Sequence, residues 1–156
     1  MRETRGSLLI VDDDPVIRTT MSLCLNEIGY SVRTAEDGLH GLIAIGNEAP
    51  EMLLTDLNMP RMSGYELLAQ VHRQFPAVQT IAMSGTFYGD EVPSGVLADA
   101  FFQKGSSIRA LLKILEDLPS RSLPNTNRAT KLTPPWIRRD NHDHVRSARP
   151  KGSWPA

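Results

Sequence analysis

Residues 8–15 read LLIVDDDP, an uninterrupted apolar run followed by three carboxylates and a proline. Four consecutive aliphatic residues without polar alternation are typical of a strand that is covered on both faces of a sheet. Pro15 suits the first turn of a helix, where a backbone N–H would have no intrahelical partner. The stretch therefore predicts a buried strand over residues 7–11 that leads into a helix, with acidic residues at the junction.

The same alternation of strand and helix continues to about residue 118. Strands are predicted over residues 7–11, 30–34, 51–55, 78–82 and 100–103, and helices over residues 15–28, 37–47, 64–74 and 106–118. This order predicts an α/β fold, a doubly wound parallel sheet of five strands flanked by helices. The connection between the fourth and fifth strands departs from the pattern, because Pro93 and Gly95 would break a regular helix there.

The charge of the chain is distributed unevenly, although the 156 residues sum to −1. Residues 1–118 hold nine Lys or Arg against sixteen Asp or Glu, a net −7, and residues 119–156 hold eight against two, a net +6. The second segment also has six of the eleven prolines and few periodic apolar residues. Such a composition buries too little apolar surface to offset its ordering entropy. We therefore predict a folded domain over residues 1–118 and a disordered basic tail over residues 119–156.

Length and composition exclude several classes of protein. No apolar run approaches the ~20 residues that span a bilayer, and no stretch has the pattern of a signal peptide. The single cysteine, Cys24, excludes an internal disulfide and a cysteine-rich zinc site, and low cysteine content is typical of reducing compartments. We therefore expect a cytoplasmic protein with no membrane segment.

Polar side chains with complementary chemistry follow four of the five predicted strands. Asp12 and Asp13 follow the first strand, Asp56 the third, Ser84 the fourth and Lys104 the fifth. The carboxyl ends of parallel strands meet at one edge of a sheet, where α/β proteins place their sites. Clustered carboxylates suit Mg²⁺, and a carboxylate can accept a phosphoryl group whose oxygens a lysine and a hydroxyl then stabilise. The sequence predicts a magnesium-dependent phosphoryl-transfer site at this edge.

Four segments carry a resemblance to the receiver domain of response regulators in two-component signalling. They are residues 8–15, residues 53–64 (LLTDLNMPRMSG), residues 81–85 (IAMSG) and residues 101–104 (FFQK), of which the second is the most specific. The resemblance extends from about residue 7 to residue 118. It implies a flavodoxin-like sheet with the strand order 2-1-3-4-5.

The resemblance implies a role for each residue of the reacting group. Asp56 resembles the phospho-acceptor, Ser84 the switch hydroxyl and Lys104 the ion-pairing lysine. The implied reaction takes a phosphoryl group from a phosphohistidine of a sensor histidine kinase or histidine phosphotransfer protein, and slow hydrolysis follows. The resemblance therefore implies that the chain catalyses no reaction other than its own phosphorylation and dephosphorylation. It also implies a stand-alone receiver, in which phosphorylation changes a surface that a downstream effector protein binds.

The resemblance also implies a Mg²⁺ site. Asp13 resembles a direct ligand, and Asp12 resembles an assisting residue. Asp56 and the backbone carbonyl of Asn58 complete the implied metal-binding set. Asp14 falls outside the acidic pair of the family and is expected to be a helix N-cap. Asn58 and Thr86, which flank the site, are expected to tune the hydrolysis.

Two positions near the lysine call for separate interpretation. The family usually has proline directly after the lysine, where this chain has Gly105, so the Lys104 loop is expected to be looser or differently set. Phe102 stands where the family has a switching aromatic residue, and a purely structural role in the core is an equal alternative.

A phosphatase of the haloacid-dehalogenase-like class is the rival hypothesis from the enzymes. Residues 12–16 fit its Asp-x-Asp-x-Thr/Val motif, with Asp12 as nucleophile and Asp14 as acid/base. That hypothesis leaves the segment around Asp56 unexplained.

The basic tail supports further hypotheses beside that of a solvated extension. Its arginines next to Trp136 and Trp154 would bind nucleic acid by charge and stacking, and His142 with His144 is a weak metal-ligand signal. Opposite charges would alternatively let the tail fold back on the acidic domain and be released on phosphorylation.

Overall fold

The computed structural model describes residues 3–87 and 91–119 of the chain. The strands are β1 (Ser7–Val11), β2 (Ser31–Ala35), β3 (Met52–Asp56), β4 (Gln79–Ser84) and β5 (Ala100–Gln103). The helices are α1 (Pro15–Ile28), α2 (Gly38–Asn47), α3 (Gly64–Gln74) and α4 (Ile108–Asp117). The predicted alternation is confirmed. The hypotheses about nucleic acid binding, metal binding and folding back of the tail fall on residues outside the described ranges and stay predictions.

All five strands run parallel in one sheet with the order β2-β1-β3-β4-β5, which confirms the predicted topology. Every residue of β3 and β4 is buried, as is typical of central strands that helices cover on both faces. β2 lies on one side of β1 and β3 on the other, so the connections that leave these two neighbouring strands run in opposite directions. A crevice therefore opens between the carboxyl ends of β1 and β3. Val11 and Thr55 are register partners on these two strands, and the residues that follow them are Asp12 and Asp56.

Helices cover both faces of the sheet and form two separate apolar cores. Leu25 of α1 and Leu111 of α4 belong to the core on one face. Leu42 of α2 and Leu68 of α3 belong to the core on the other. Each fully buried leucine stabilises the fold by about 1.5–3 kcal/mol. The two cores therefore fix the strands from both faces of the sheet, and with them the loops at its carboxyl edge. None of the helices in the described part of the chain is long and apolar enough to cross a bilayer.

The four described helices each begin at a side chain that accepts a backbone hydrogen bond. The N-caps are Asp14 for α1, Asp37 for α2, Ser63 for α3 and Ser107 for α4. Such a cap stabilises a helix by about 1 kcal/mol. Ser107 sets the start of α4 at Ile108, two residues later than the predicted helix.

Three strands differ by one or two residues from their predicted bounds. β3 begins and ends one residue later than predicted. β2 begins one residue later because the N–H of Tyr30 donates to the carbonyl of Leu25 at the end of α1. β4 begins one residue later because the N–H of Val78 donates to Phe75 in a turn. It continues through Ser84 because its last residues pair with β5.

The connection from β4 to β5 lacks a helix in its described residues, 85–87 and 91–99, as Pro93 and its neighbours predict. The N–H of Val96 instead donates to the carbonyl of Pro93 over 3.1 Å. Val96 is buried and packs against the core of α2 and α3. A turn with apolar side chains therefore covers the sheet where a helix is usual in this alternation.

Candidate functional site

The predicted site residues converge at the carboxyl edge of the sheet. Asp12 directly follows β1, Asp56 ends β3, Ser84 ends β4 and Lys104 directly follows β5. Asp12, Asp56 and Ser84 are buried, at 0%, 4% and 1% exposure. Burial of two carboxylates requires compensation by a cation or by hydrogen bonds.

Lys104 supplies that compensation to both buried carboxylates. Its Nζ lies 2.8 Å from Oδ2 of Asp12 and 3.0 Å from Oδ2 of Asp56. Burial of the ammonium works to lower its pKa, but the hydrogen bonds and charges of the two carboxylates outweigh this and raise the pKa of Lys104. The lysine therefore remains protonated and holds a positive charge beside Asp12 and Asp56.

The pKa of Asp56 is shifted in the direction that a crowded acidic site produces. Burial raises the pKa, and the charge of Asp12 adds to the increase; Lys104 and the N–H of Asn58, 3.4 Å from Oδ1, offset only part of it. The proton is therefore held more tightly than on an ordinary aspartate. A second cation near Asp56 would favour the charged, nucleophilic form.

Three carboxylates at this edge fit a metal ion. Oxygens of Asp12, Asp13 and Asp56 all lie within 4.8 Å of one another, and Asp13 is exposed to solvent. Three carboxylates against one lysine leave two formal negative charges, which a divalent cation would balance. An all-oxygen donor set with one open side suits a hard cation that retains water. The acidic pocket is therefore able to hold a metal.

Ser84 is positioned as a hydrogen-bond donor at the same edge. Its Oγ accepts the N–H of Thr86 over 3.1 Å. That contact uses an acceptor lone pair and leaves the hydroxyl proton for another partner. Ser84 and Thr86 therefore form one short turn beside β3, as their sequence positions predict.

Gly64 fixes the course of the loop that leads from Asp56 to α3. A Cβ at Gly64 would lie 1.9 Å from the carbonyl oxygen of Asp56 and 2.7 Å from the Cα of Leu57. The N–H of Gly64 donates to the carbonyl of Leu57 over 3.0 Å. The start of α3 thus returns directly against the end of β3, and the backbone around Asn58 is held between them.

The loop after Lys104 has a definite conformation that differs from the family pattern. Gly105 has φ of +89°, in the region that glycine adopts readily. A proline ring fixes φ near about −65°, so proline does not fit this loop. Gly105 therefore gives the loop after Lys104 a backbone conformation that proline cannot adopt. Phe102 is 5% exposed and belongs to the core of α1 and α4, as its structural interpretation predicts.

Asp14 is the N-cap of α1, which confirms its predicted role. Its Oδ1 accepts the N–H of Val16 over 2.8 Å. Asp12 is enclosed, because its Oδ1 accepts the N–H of Asp14 and its Oδ2 contacts Lys104. The phosphatase hypothesis assigns Asp14 as acid/base, whereas here this carboxylate caps α1.

A second charged group, missed in the sequence, joins the loops before α2 and α3. Asp37, 1% exposed, accepts the backbone N–H of His40 over 2.8 Å and lies 2.8 Å from Nη2 of Arg61. The ring Nδ1 of His40 lies 2.9 Å from the same carboxylate. Arg61 has φ of +68°, a conformation that disfavours a non-glycine residue by about 1–2 kcal/mol. The ion pair therefore stabilises the unusual backbone three residues beyond Asn58.

The sequence contains part of the information needed to predict the ion pair between Asp37 and Arg61. Asp37 follows β2 at the same sheet edge as the other carboxylates, so the rule that located Asp12 also applies to it. Its partner was hidden, because Arg61 reaches it only through a left-handed backbone.

Comparison with known proteins gives a consistent result. Residues 8–116 match the family model described as the response regulator receiver domain. The chain is 34% identical over 132 residues to the transcriptional regulatory protein GlrR of Escherichia coli (strain K12), with 81% of this chain and 29% of GlrR covered. It is 29% identical over 120 residues to the response regulator MprA of Mycobacterium sp. (strain KMS), with 76% and 52% covered. The chain thus spans between a quarter and about half of the length of these relatives.

Solved structures resemble the fold over nearly the whole described region. A CheY-like response regulator receiver domain protein from Methanospirillum hungatei JF-1 has a TM-score of 0.64 at 32% identity, covering 70% of this chain and 90% of that chain. The chemotaxis response regulator CheY4 of Vibrio cholerae has a TM-score of 0.64 at 28% identity, covering 72% and 98%.

Proposed function

The chain belongs to the receiver-domain family of response regulators, and on that premise we propose that Asp56 is its phospho-acceptor. The donor is a phosphohistidine on a sensor histidine kinase or a histidine phosphotransfer protein. The observation that carries this proposal is the joint contact of Lys104 with Asp12 and Asp56, which places a fixed positive charge at one carboxylate oxygen of Asp56.

The chemistry follows from the groups present. An oxygen of the Asp56 carboxylate attacks phosphorus, the phosphorus–nitrogen bond to the donor histidine breaks, and the bond electrons stay on the imidazole nitrogen. Lys104 stabilises the charge on the transferred phosphoryl oxygens, and the hydroxyl of Ser84 donates to one of them. Water later attacks the acyl phosphate, which releases inorganic phosphate and restores the carboxylate.

Mg²⁺ is the cofactor that we propose for this reaction. Asp12, Asp13 and Asp56 would hold it through carboxylate oxygens, and Asn58 through its backbone carbonyl. The bound ion would neutralise the acidic cluster and the incoming phosphoryl oxygens. The proximity of the three carboxylates supports this assignment. Because the sequence has a single cysteine, we place the reaction in the reducing cytoplasm.

The output of the domain is a change in a surface that an effector protein reads. An acyl phosphate on Asp56 competes for Lys104 and for the Ser84 hydroxyl, so the loops after β4 and β5 are the segments that respond. These loops include the non-helical connection around Val96, and the partner must fit that shape. Binding experiments with and without a phosphoryl mimic would identify the effector.

The test is intact-mass spectrometry after incubation with acetyl phosphate and Mg²⁺. The chain is expected to gain one phosphoryl group, which Asp56→Asn abolishes while leaving the fold unchanged by circular dichroism. Asp14→Asn is the matched control at an exposed carboxylate and retains the gain. Phosphorylation of the Asp56→Asn variant together with its loss in Asp12→Asn would assign the nucleophile to Asp12 and overturn the proposal.

A further inference from the structure

An apolar groove runs between α1 and α4 beside the carboxylate site. We call it the α1–α4 groove, and its apolar lining consists of Val16, Ile17, Met21, Met83, Phe102 and Ile108. It encloses about 320 Å³, the lower end of the range of about 300–1,000 Å³ for ligand pockets. Lys104 is the one charged residue among the described residues that line it, and its ammonium is bound by the carboxylates of the site. The groove is therefore suited to an apolar side chain.

Acidic residues directly precede the part of α1 that lines the groove. Asp13 and Asp14 are exposed and directly precede Pro15 and Val16 at the start of the α1 wall. Val16 is 70% exposed, so its aliphatic side chain is accessible to an occupant of the groove. An occupant with apolar side chains followed by cations would match both features.

The chain itself contains such a segment. Residues 134–139 read PPWIRR, in which Trp136 and Ile137 are apolar and Arg138 and Arg139 follow directly. The indole with its aliphatic neighbour suits a groove of this volume, and the two arginines are opposite in charge to Asp13 and Asp14. The other tryptophan, Trp154, has no such arginine pair after it.

The distance from the described chain to the groove is short enough. The described residues end at Pro119, directly after α4, which forms one side of the groove. α4 has ten residues and is about 15 Å long at about 1.5 Å per residue. Residues 120–135 can span up to about 50 Å when extended. Residues 136–139 can therefore reach the end of α4 at Ile108, which lines the groove.

We propose that residues 136–139 dock in the α1–α4 groove of their own chain. The indole of Trp136 occupies the apolar lining, and Arg138 and Arg139 lie against Asp13 and Asp14. Tethering supplies an effective concentration on the order of 1 mM, so a segment with an intrinsic Kd of that order is docked about half of the time. Docking covers the groove beside Lys104 and competes with any protein that approaches Asp56 from this side. The proposal stands apart from the phosphoryl chemistry, since its test needs no phosphorylation.

The composition of the chain makes docking directly measurable. Both tryptophans of the sequence lie beyond residue 119, so tryptophan emission reports on that segment alone. A Trp154→Phe chain leaves Trp136 as the single emitter, and its acrylamide quenching is measured at low ionic strength in EDTA. Thr20 lines the groove and is exposed, and Thr19 is exposed on the same helix outside the groove. Thr20→Arg blocks the groove and repels the arginines, and Thr19→Arg is the matched control with the same change of charge.

The expected result is a quenching constant about twofold higher in Thr20→Arg than in Thr19→Arg, as release from half occupancy requires. Thermal unfolding by circular dichroism verifies that both variants fold. Equal quenching in the two variants would overturn the proposal. A protection that disappears on dilution would overturn it as well, because the occupant would then be a second copy of the chain. In a Trp136→Phe chain, a response of Trp154 to Thr20→Arg would show that the named segment is the wrong one.

Discussion

At the scale of single residues, Gly105 determines how Lys104 is presented to the two carboxylates. The residue after the lysine has φ of +89°, and an added Cβ would meet nothing within 4 Å. The choice of residue at position 105 is therefore limited by backbone conformation and not by contact with neighbouring atoms. A proline would oppose it, because its ring holds φ near about −65°.

Replacing Gly105 by proline is therefore expected to destabilise the chain, even though proline is usual at this place in the family. We expect Gly105→Pro to lower the free energy of unfolding by about 1–3 kcal/mol and Gly105→Ala by about 1–2 kcal/mol, measured by urea denaturation. Gly85→Ala is the control, since its φ is not positive and its nearest contact is an ordinary 3.8 Å to Lys104. A Gly105→Pro chain as stable as the parent would contradict the conformation of this loop.

At the scale of elements, the ion pair between Asp37 and Arg61 joins the start of α2 to the loop before α3. Asp37 caps α2 and at the same time contacts a residue of the loop that contains Asn58. Burial of the Asp37 carboxylate works to raise its pKa, but the hydrogen bonds and charge of His40 and the charge of Arg61 outweigh burial and lower the pKa. The charged form is therefore the one that stabilises both loops.

The stability that Asp37 provides is expected to depend on pH. Because its pKa is lower in the folded chain than the ordinary 3.8, the contribution is fully present above that ordinary value and is lost as the pH falls through the folded pKa. We expect Asp37→Asn to be less stable than the parent by about 1.5–3 kcal/mol at pH 7, with a difference that shrinks below pH 3.8. Urea denaturation of both chains across this range measures it.

Glu36→Gln is the control for that titration. Glu36 is exposed, and its carboxylate lies 3.7 Å from His40, so its replacement is expected to change stability little at any pH. A difference between the parent and Asp37→Asn that stays constant from neutral to acidic pH would show that the charge of Asp37 is not what stabilises the loops.

The elements and the main site were accessible from the sequence because both depend on simple periodic patterns. Asp12, Asp56 and Lys104 meet because each ends or follows a strand of one parallel sheet, and the strands were visible as apolar runs. The absence of a helix around Pro93 was likewise local information. The contact of Asp37 with Arg61 was not, because it requires a left-handed backbone and a close approach at Gly38, where a Cβ would lie 2.6 Å from the carbonyl of Met62. Such features arise from tertiary packing.

At the scale of the whole molecule, binding of an ion at the acidic site would be linked to global unfolding. Its carboxylates come from the ends of β1 and β3, so the site exists only while the sheet is assembled. An ion that binds the folded chain alone stabilises it by RT ln(1 + [ion]/Kd), about 2.7 kcal/mol at 100 times Kd. Stability should therefore report on the occupancy of the site.

We expect Mg²⁺ to raise the free energy of unfolding, and Asp13→Ala to abolish the increase. The measurement is urea denaturation in EDTA and in Mg²⁺ at saturating concentration. Asp14→Ala is the matched control: loss of its cap costs about 1 kcal/mol in both buffers, but the increase due to Mg²⁺ remains. An equal increase in the parent and in Asp13→Ala would place the ion elsewhere.

The position of Lys104 also has a consequence for the order in which the molecule becomes competent. β5 has four residues, pairs with β4 alone at the edge of the sheet and is the last strand along the chain. During synthesis from the amino terminus, both buried carboxylates leave the ribosome well before the lysine does. Asp12 and Asp56 therefore lack the counter-charge of Lys104 until the last strand has joined the sheet. With Asp56 in the role that we propose, a chain able to accept a phosphoryl group is one that has finished folding, and hydrogen exchange at β5 would track the same event.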